Sequence, residues 1–314
     1  MTREPPGNRS SPEPIPSVRS PVLVTIPVHN EEPRIRRTVD RVMRALDAAP
    51  FPYTLSVAED ASTDGTLRVL EEMRRDHPEL LVRSRPHGRG RGSALASLWT
   101  EVDAPVYAYV DADLAMGERA VVDCIAPVYE GTSSVVTASR YCPGAAVRRP
   151  PLVHAVSLAY NRIIRLVFQD GVYDHQCGLK VFRRDVVRSL LERAHDGEWF
   201  WDTEMLVLAK AAGYSVTEQP VTWQETKNSR TSWRRLATEI PVFAAAIVAL
   251  KGSGHLWGPG NASVPGPRSL YPNPIPLPVR SSSDFLLRRS SDPLHTTSMA
   301  MPSLAGRSEE PNRP

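Results

Sequence analysis

Pro105-Val106-Tyr107-Ala108-Tyr109-Val110-Asp111-Ala112-Asp113 is an apolar run that ends on two carboxylates. The run has the length and composition of a buried strand. Side chains two apart on an extended chain point the same way, so Asp111 and Asp113 are expected to converge on one cation. Hard oxygen ligands of this kind suit Mg²⁺ or Mn²⁺, which keep open positions for phosphate groups. An acidic pair can also simply cap the next helix, but its place directly after a buried strand favours the metal. Working outward, Val22–Val28, Thr54–Ala58, Leu80–Val82 and Ser134–Ala138 read as further strands. Between them, Ile35, Val39, Val42, Met43 and Leu46 recur at helical spacing. A helix through Leu67, Leu70 and Met73 is expected to be capped by Ser62 or Thr63, and Gly92–Val102 reads as another helix. Strand and helix alternate, which predicts an α/β fold with a mostly parallel central sheet. Ligands of such sheets bind beyond the carboxyl ends of the strands.

The polar residues gather at those strand ends. Pro27 is expected to limit the first strand, and His29, Glu31 and Glu32 follow it. Glu59-Asp60-Ala61-Ser62-Thr63-Asp64-Gly65-Thr66 follows the second strand. Its later part is turn chemistry, and Asp60 is the residue suited to a nucleobase or ribose. His87-Gly88-Arg89-Gly90-Arg91-Gly92-Ser93 precedes a helix, where backbone N–H groups can approach a phosphate. The glycines do not fall as G-x-G-x-x-G, and they follow the third strand rather than the first, which argues against a dinucleotide site. Asp202 and Glu204 open a helix carrying Leu206, Leu208 and Ala209, where acids also favour the dipole.

The order and spacing of these segments resemble family 2 of the glycosyltransferases. The segments are Ile26-Pro27-Val28-His29-Asn30-Glu31-Glu32, Glu59 to Thr66, Gly90-Arg91-Gly92, Asp111-Ala112-Asp113, Ser139-Arg140, Gln176-Cys177-Gly178-Leu179-Lys180-Val181-Phe182 and Phe200-Trp201-Asp202-Thr203-Glu204. The likeness covers roughly residues 21–250 and is greatest to the branch that glycosylates dolichyl and other polyprenyl phosphates. It implies a Rossmann-like nucleotide-diphospho-sugar transferase fold. It also implies an inverting enzyme that moves a sugar from a GDP- or UDP-sugar to a polyprenyl phosphate, with Mg²⁺ or Mn²⁺ as cofactor. By the same resemblance Pro27, His29, Glu31, Asp60, Arg91 and Asp111 would serve the nucleotide, and Asp111 and Asp113 the metal. Arg140, Lys180 and Arg230 would face the acceptor phosphate or the leaving diphosphate. Asp113 and Asp202 would be the catalytic carboxylates, Asp202 as base where the acceptor is an alcohol. The sequence departs from the family pattern at His29, Glu59 and Arg91, and again at Lys227-Asn228-Ser229-Arg230, where arginine replaces a lysine. A related enzyme with a soluble or cell-wall acceptor, and a nucleotide-binding relative without turnover, are the competing readings.

The chain of 314 residues has 41% hydrophobic and 23% charged residues and a formal charge of +3. This is a globular balance without the concentrated basic face of a nucleic-acid binder. The three cysteines Cys124, Cys142 and Cys177 fall at no metal-ligand spacing and suggest a reducing, cytoplasmic setting. Residues 1–20 and 252–314, rich in proline and serine, read as disordered flanks of a catalytic domain at 21–231. Met1–Ser20 lacks the apolar core of a secretory signal. No run reaches the roughly 18 apolar residues that cross a bilayer. Residues 232–251 read as a helix kinked or split in two at Pro241, with Trp233, Arg234 and Arg235 before an apolar part. That pattern suits peripheral contact with the cytoplasmic membrane face, or packing on the domain.

Overall fold

The computed structural model describes residues 20–225 and 233–252, with side chains for 20–225 and 243–252. These residues all lie in the first of two compact units, Met1–Pro274. The expected disordered flanks and Arg230 lie outside them.

The first half is a regular alternation: β1 (Val22–Val28), α1 (Ile35–Asp47), β2 (Tyr53–Asp60), α2 (Thr66–Asp76), β3 (Leu81–Arg85), α3 (Arg91–Glu101) and β4 (Val106–Val110). α4 (Arg119–Tyr129) leads to β5 (Val135–Ser139), then β6 (Ala146–Arg148) and the long α5 (Pro151–Phe168). β7 (Leu179–Arg183), α6 (Arg184–Leu190), α7 (Trp201–Ala211), β8 (Val216–Pro220), β9 (Thr222–Gln224) and α8 (Trp233–Gly252) follow. Seven strands form one sheet in the order β3-β2-β1-β4-β7-β5-β8, and β6 pairs with β9 apart from it. The sheet is mostly parallel, as expected. The exception is β7, which runs antiparallel to both β4 and β5.

Alternation along each strand divides the core. Val22, Val24, Ile26, Val106, Ala108 and Val110 face a cluster that includes α1, α2 and α4 side chains. Leu23, Tyr107 and Tyr109 face the opposite cluster, with Leu95, Leu98 and Trp99 of α3 and Trp201, Met205 and Leu206 of α7. Both faces are covered, which is why the central strands read as continuous apolar runs rather than alternating ones.

Three local expectations are corrected. Pro27 does not end β1, which continues to Val28. The ladder to β4 stops at Thr25, so the proline, which lacks an N–H, stands where β1 has a neighbour on one side only. Glu59 and Asp60 are the last residues of β2 rather than part of the loop. Neither Ser62 nor Thr63 caps α2: Asp64 Oδ1 accepts the Thr66 N–H at 3.0 Å, while Ser62 and Thr63 bind Asn30.

Candidate active site

The loops after β1 and β2 are laced together. Ser62 Oγ accepts the Asn30 N–H at 2.9 Å, and Thr66 Oγ1 accepts the Glu31 N–H at 2.8 Å. In return Asn30 Oδ1 accepts the Thr63 N–H at 2.7 Å, and Glu32 Oε2 accepts the Gly65 N–H at 2.9 Å. His29 is exposed on this rim, its Nδ1 2.8 Å from the Asp60 carbonyl. Pro27 is buried beneath it, and Glu31 pairs with Arg34 at 2.8 Å. The buried Asp60 carboxylate turns to the glycine-rich loop, accepting N–H bonds from Gly90 at 2.8 Å and Arg89 at 3.2 Å. The N–H groups of that loop which the sequence offered to a phosphate are therefore directed at Asp60. Gly90 has φ +92° and a Cβ there would meet the Gly197 carbonyl at 2.5 Å, so the loop can take this path only with glycine.

Asp111 and Asp113 sit on a tight turn, not on extended chain: the Leu114 N–H reaches the Asp111 carbonyl at 3.1 Å. α1 supports that turn from below, where Thr38 Oγ1 donates to the Ala112 carbonyl at 2.6 Å. On the other side the Asp111 N–H binds the Gly178 carbonyl at 2.8 Å, and a Cβ on Gly178 would fall 2.1 Å from Asp111 Oδ2. The glycine before β7 thus lets the second half of the chain close directly on this carboxylate. Burial raises the Asp111 pKa against the pull of Arg91. Asp113 is pushed up to about 6 by burial and by the neighbouring Asp111 charge.

Arg91, at the start of α3, joins two candidates from distant segments. Its Nη1 binds Asp111 Oδ1 at 2.8 Å, its Nη2 contacts Asp202 Oδ2, and its guanidinium lies 4.5 Å from the centre of the Trp199 ring. Burial works against the Arg91 charge, and the two carboxylates overcome that and raise its pKa. Asp202 is fully buried in the first turn of α7, and its other oxygen accepts the Tyr109 hydroxyl. Trp99, Phe182 and Trp201 pack edge-on behind this cluster. Glu204 is turned away and accepts the His195 and Asp196 N–H groups at 3.0 and 2.9 Å.

The two remaining cations are buried. Lys180 donates to the Cys177 carbonyl at 2.8 Å and has its pKa lowered by burial, while its charge pulls on Asp111. Arg140 forms a bidentate pair with Asp174, Nε to Oδ2 at 2.7 Å and Nη2 to Oδ1 at 2.8 Å, and lies over the Trp223 ring. Burial pushes the Asp174 carboxyl up, and Arg140 more than reverses that. The structure therefore brings Arg91, Asp111 and Asp202 into contact and places Asp113 beside them. It holds Arg140 against Asp174 instead of against open solvent. Tyr109, Asp174 and Trp199 were not singled out in the sequence. Tyr109 had a signal, a hydroxyl in a fully buried strand that must find a partner. Asp174 had none, because its partner is 34 residues away. The free cysteines Cys124, Cys142 and Cys177 are all buried.

Residues 23–191 match the family model for glycosyl transferase family 2. The chain is 33% identical over 205 residues to glycosyltransferase AglD of Haloferax volcanii, an alignment covering 65% of this chain and 33% of that protein. This chain thus spans about a third of AglD. It is 25% identical over 239 residues to dolichyl-phosphate beta-glucosyltransferase ALG5A of Trichomonas vaginalis, covering 72% and 74% of the two chains. Its fold is similar to that of glucosyl-3-phosphoglycerate synthase from Mycobacterium tuberculosis, solved with Mn²⁺, UDP and glucosyl-3-phosphoglycerate. The TM-score is 0.53 at 18% identity, over 75% of this chain and 80% of that one. The family match extends over more than half of the chain and takes in every strand of the sheet except β8; the chain belongs to glycosyl transferase family 2.

Proposed function

We propose that the protein is an inverting glycosyltransferase that moves a sugar from a nucleoside-diphosphate sugar, GDP- or UDP-linked, to a polyprenyl phosphate. The observation that carries the choice of acceptor is the state of Asp202. Both of its oxygens are engaged, by Arg91 and by Tyr109, and the side chain is fully buried. A carboxylate engaged at both oxygens and sealed from solvent is not placed to take a proton from an acceptor. An acceptor that arrives already ionised needs no base, and a lipid phosphate is such an acceptor. The names of the relatives AglD and ALG5A agree with a glycosyltransferase, and that of ALG5A with a dolichyl-phosphate acceptor.

The acidic turn suits a divalent cation. Asp111 and Asp113 are hard oxygen donors whose pKa values are raised by burial, Asp113 also by its neighbour, and a positive ion relieves that cost. Among the described residues no cluster of three His, Cys, Asp or Glu side chains could hold a metal. The donor phosphates and water would complete the set. Mg²⁺ or Mn²⁺ bound there would stabilise charge on the leaving diphosphate. The mycobacterial synthase of similar fold was solved with Mn²⁺ and UDP.

The chain's own groups then divide the work. Pro27, His29, Glu31 and Asp60 shape the nucleoside side. Arg91 orients Asp111 and Asp202, and its Nε is buried without an acceptor among the described residues. Lys180 is a buried cation close to Asp111 and Asp202, while Arg140 is held by Asp174. The acceptor oxygen attacks the anomeric carbon opposite the leaving diphosphate, which inverts that centre.

The test is to incubate the protein with GDP- and UDP-sugars, Mn²⁺ and a short-chain polyprenyl phosphate in detergent, and to read the lipid product by mass and its anomer by NMR. One donor is expected to give a glycosyl phosphate of inverted configuration. Donor hydrolysis without lipid product, or glycosylation of soluble alcohols only, would overturn the acceptor.

A further inference from the structure

Among the described residues, seven large apolar side chains are strongly exposed, and four of them lie on α5: Leu152 at 65%, Leu158 at 41%, Ile163 at 51% and Leu166 at 68%. Leu152, Ala155, Ala159, Ile163 and Leu166 are spaced three or four apart, so they form one stripe along the whole outward side of the helix. From Leu152 to Leu166 that stripe is about 21 Å long at 1.5 Å per residue. The inward side is held to the domain. Asn161 and Ile164 are buried, Tyr160 donates to or accepts from Thr203 Oγ1 at 2.7 Å, and its ring meets Phe243 at 5.1 Å. An apolar stripe facing water on a helix that is firmly seated by its other side is unusual for a surface element.

In α8, which the sequence offered as the interfacial helix, the described side chains from residue 243 onward include an inward apolar face. Phe243, Ala246 and Ile247 pack against the core and Leu250 is buried, leaving Val248 exposed. The charge around α5 is one-sided. The helix contains no Asp or Glu, and it carries Arg162 and Arg165. Arg148 stands exposed just before it, and exposed Lys251 donates to the Val167 carbonyl near its end at 3.4 Å. Arg149 pairs with Glu225 at 3.1 Å and takes no part.

We infer that the outward face of α5 docks on an anionic lipid bilayer, with Leu152, Ile163 and Leu166 in the acyl boundary and Arg148, Arg162, Arg165 and Lys251 at the headgroups. An apolar stripe with cations at its borders and no acid on the helix is complementary to such a surface. The position serves the chemistry. Tyr160 bonds Thr203, the residue after Asp202, so the stripe lies one helix away from the carboxylate cluster. Exposed Trp199 lies over Arg91 in the same cluster. A phosphate carried by a lipid in the docked bilayer would be delivered at that side. This inference rests on the lipid-phosphate reading above and names the surface that would reach it.

The experiment is flotation of the full chain with vesicles of phosphatidylcholine alone or mixed with phosphatidylglycerol. The wild type is expected to float with the anionic vesicles and to be released by salt, since the headgroup attraction is screened. The double variant Leu152→Ser/Leu166→Ser is expected to bind at least about tenfold more weakly, because each leucine contributes apolar burial only when docked. Its melting temperature is expected to match the wild type, since both side chains face water. Arg162→Gln is expected to weaken binding to anionic vesicles alone. A wild type that does not float, or a double variant that floats as well as the wild type, would overturn the inference. So would a wild-type dimer that the double variant converts to monomer without any lipid binding, which would assign the stripe to a second copy. Transfer to the short-chain acceptor in detergent is measured in parallel. If flotation follows the stripe but no lipid product forms, the docking surface stands and the acceptor reading falls; if product forms and flotation is indifferent to the stripe, the reverse holds.

Discussion

In the turns after β1 and β2 the polar groups of the candidate site serve neighbouring loops: Asn30, Glu31 and Glu32 tie to residues 62–66, and Asp60 to residues 89–90. Most of these bonds are to backbone, near solvent, and between successive βα turns. Beyond β5 the pattern changes. Arg140 with Asp174 and His175 with Asp170 are buried side-chain pairs, and buried Lys180 donates to the Cys177 carbonyl. The exposed apolar stripe of α5 belongs to this second part as well. The first part is assembled from turns that a regular βαβ frame repeats. The second part departs from that frame at the antiparallel β7 and needs buried charge pairs to hold irregular chain in place. Turns that close on backbone tolerate exchange of a side chain; a buried ion pair does not tolerate loss of one member.

The largest effect expected from this contrast is in stability. Arg140→Ala leaves Asp174 buried without its counter-charge and should cost about 3–5 kcal/mol, read by urea denaturation. A loss under about 1 kcal/mol would show that the second part is held by packing alone and would erase the difference between the two regions.

The next concerns the junction of the two parts, the acidic turn that Gly178 approaches. Asp113→Asn should lower kcat at least about a hundredfold, roughly 3 kcal/mol of barrier, with the melting temperature retained. Excess chelator should do the same to the wild type. Full activity in chelator would remove the metal from the proposal.

The smallest expected effect is a pH dependence at the same turn. The folded pKa of Asp113 is raised to about 6, above its value in the unfolded chain. The native state therefore holds a proton that the unfolded state has released, and stability falls as pH rises from about 4 to about 6. In metal-free protein the stability difference between wild type and Asp113→Asn should shift against the wild type by on the order of 2–3 kcal/mol over that window. Mn²⁺ affinity should weaken as pH falls below 6, because the ion competes with the proton. A difference that stays flat with pH would mean that Asp113 is not pressed by burial and by Asp111.

The legible and illegible features divide along the same line as the two regions. β1 and β4 were readable because each is a mostly apolar run buried on both faces, and α1 because Ile35, Val39, Val42 and Leu46 mark one buried side. The acidic pair was readable as the end of such a strand. The direction of β7 was not, since an apolar run carries no sign of whether its neighbour is parallel. Nor was the closing of α2 by Asp64 in place of Ser62 or Thr63, because several residues in that turn can accept the same N–H.

By itself the sequence determined the alternating α/β frame, the family and the set of polar residues at the strand ends. The frame and the polar set follow from local periodicity and from residues adjacent in the chain, and the family from the resemblance of the motifs in their order. The tertiary structure alone decided which of those residues meet. Arg91 reaches across 111 positions to Asp202, Arg140 finds Asp174, and Gly178 lies against Asp111. It also decided that α8 turns its Phe243 and Ile247 inward while α5 keeps its stripe in water. Pairing of distant charges and choice of buried face depend on what packing brings alongside. Two helices with similar apolar residues differ only in the neighbours that cover them.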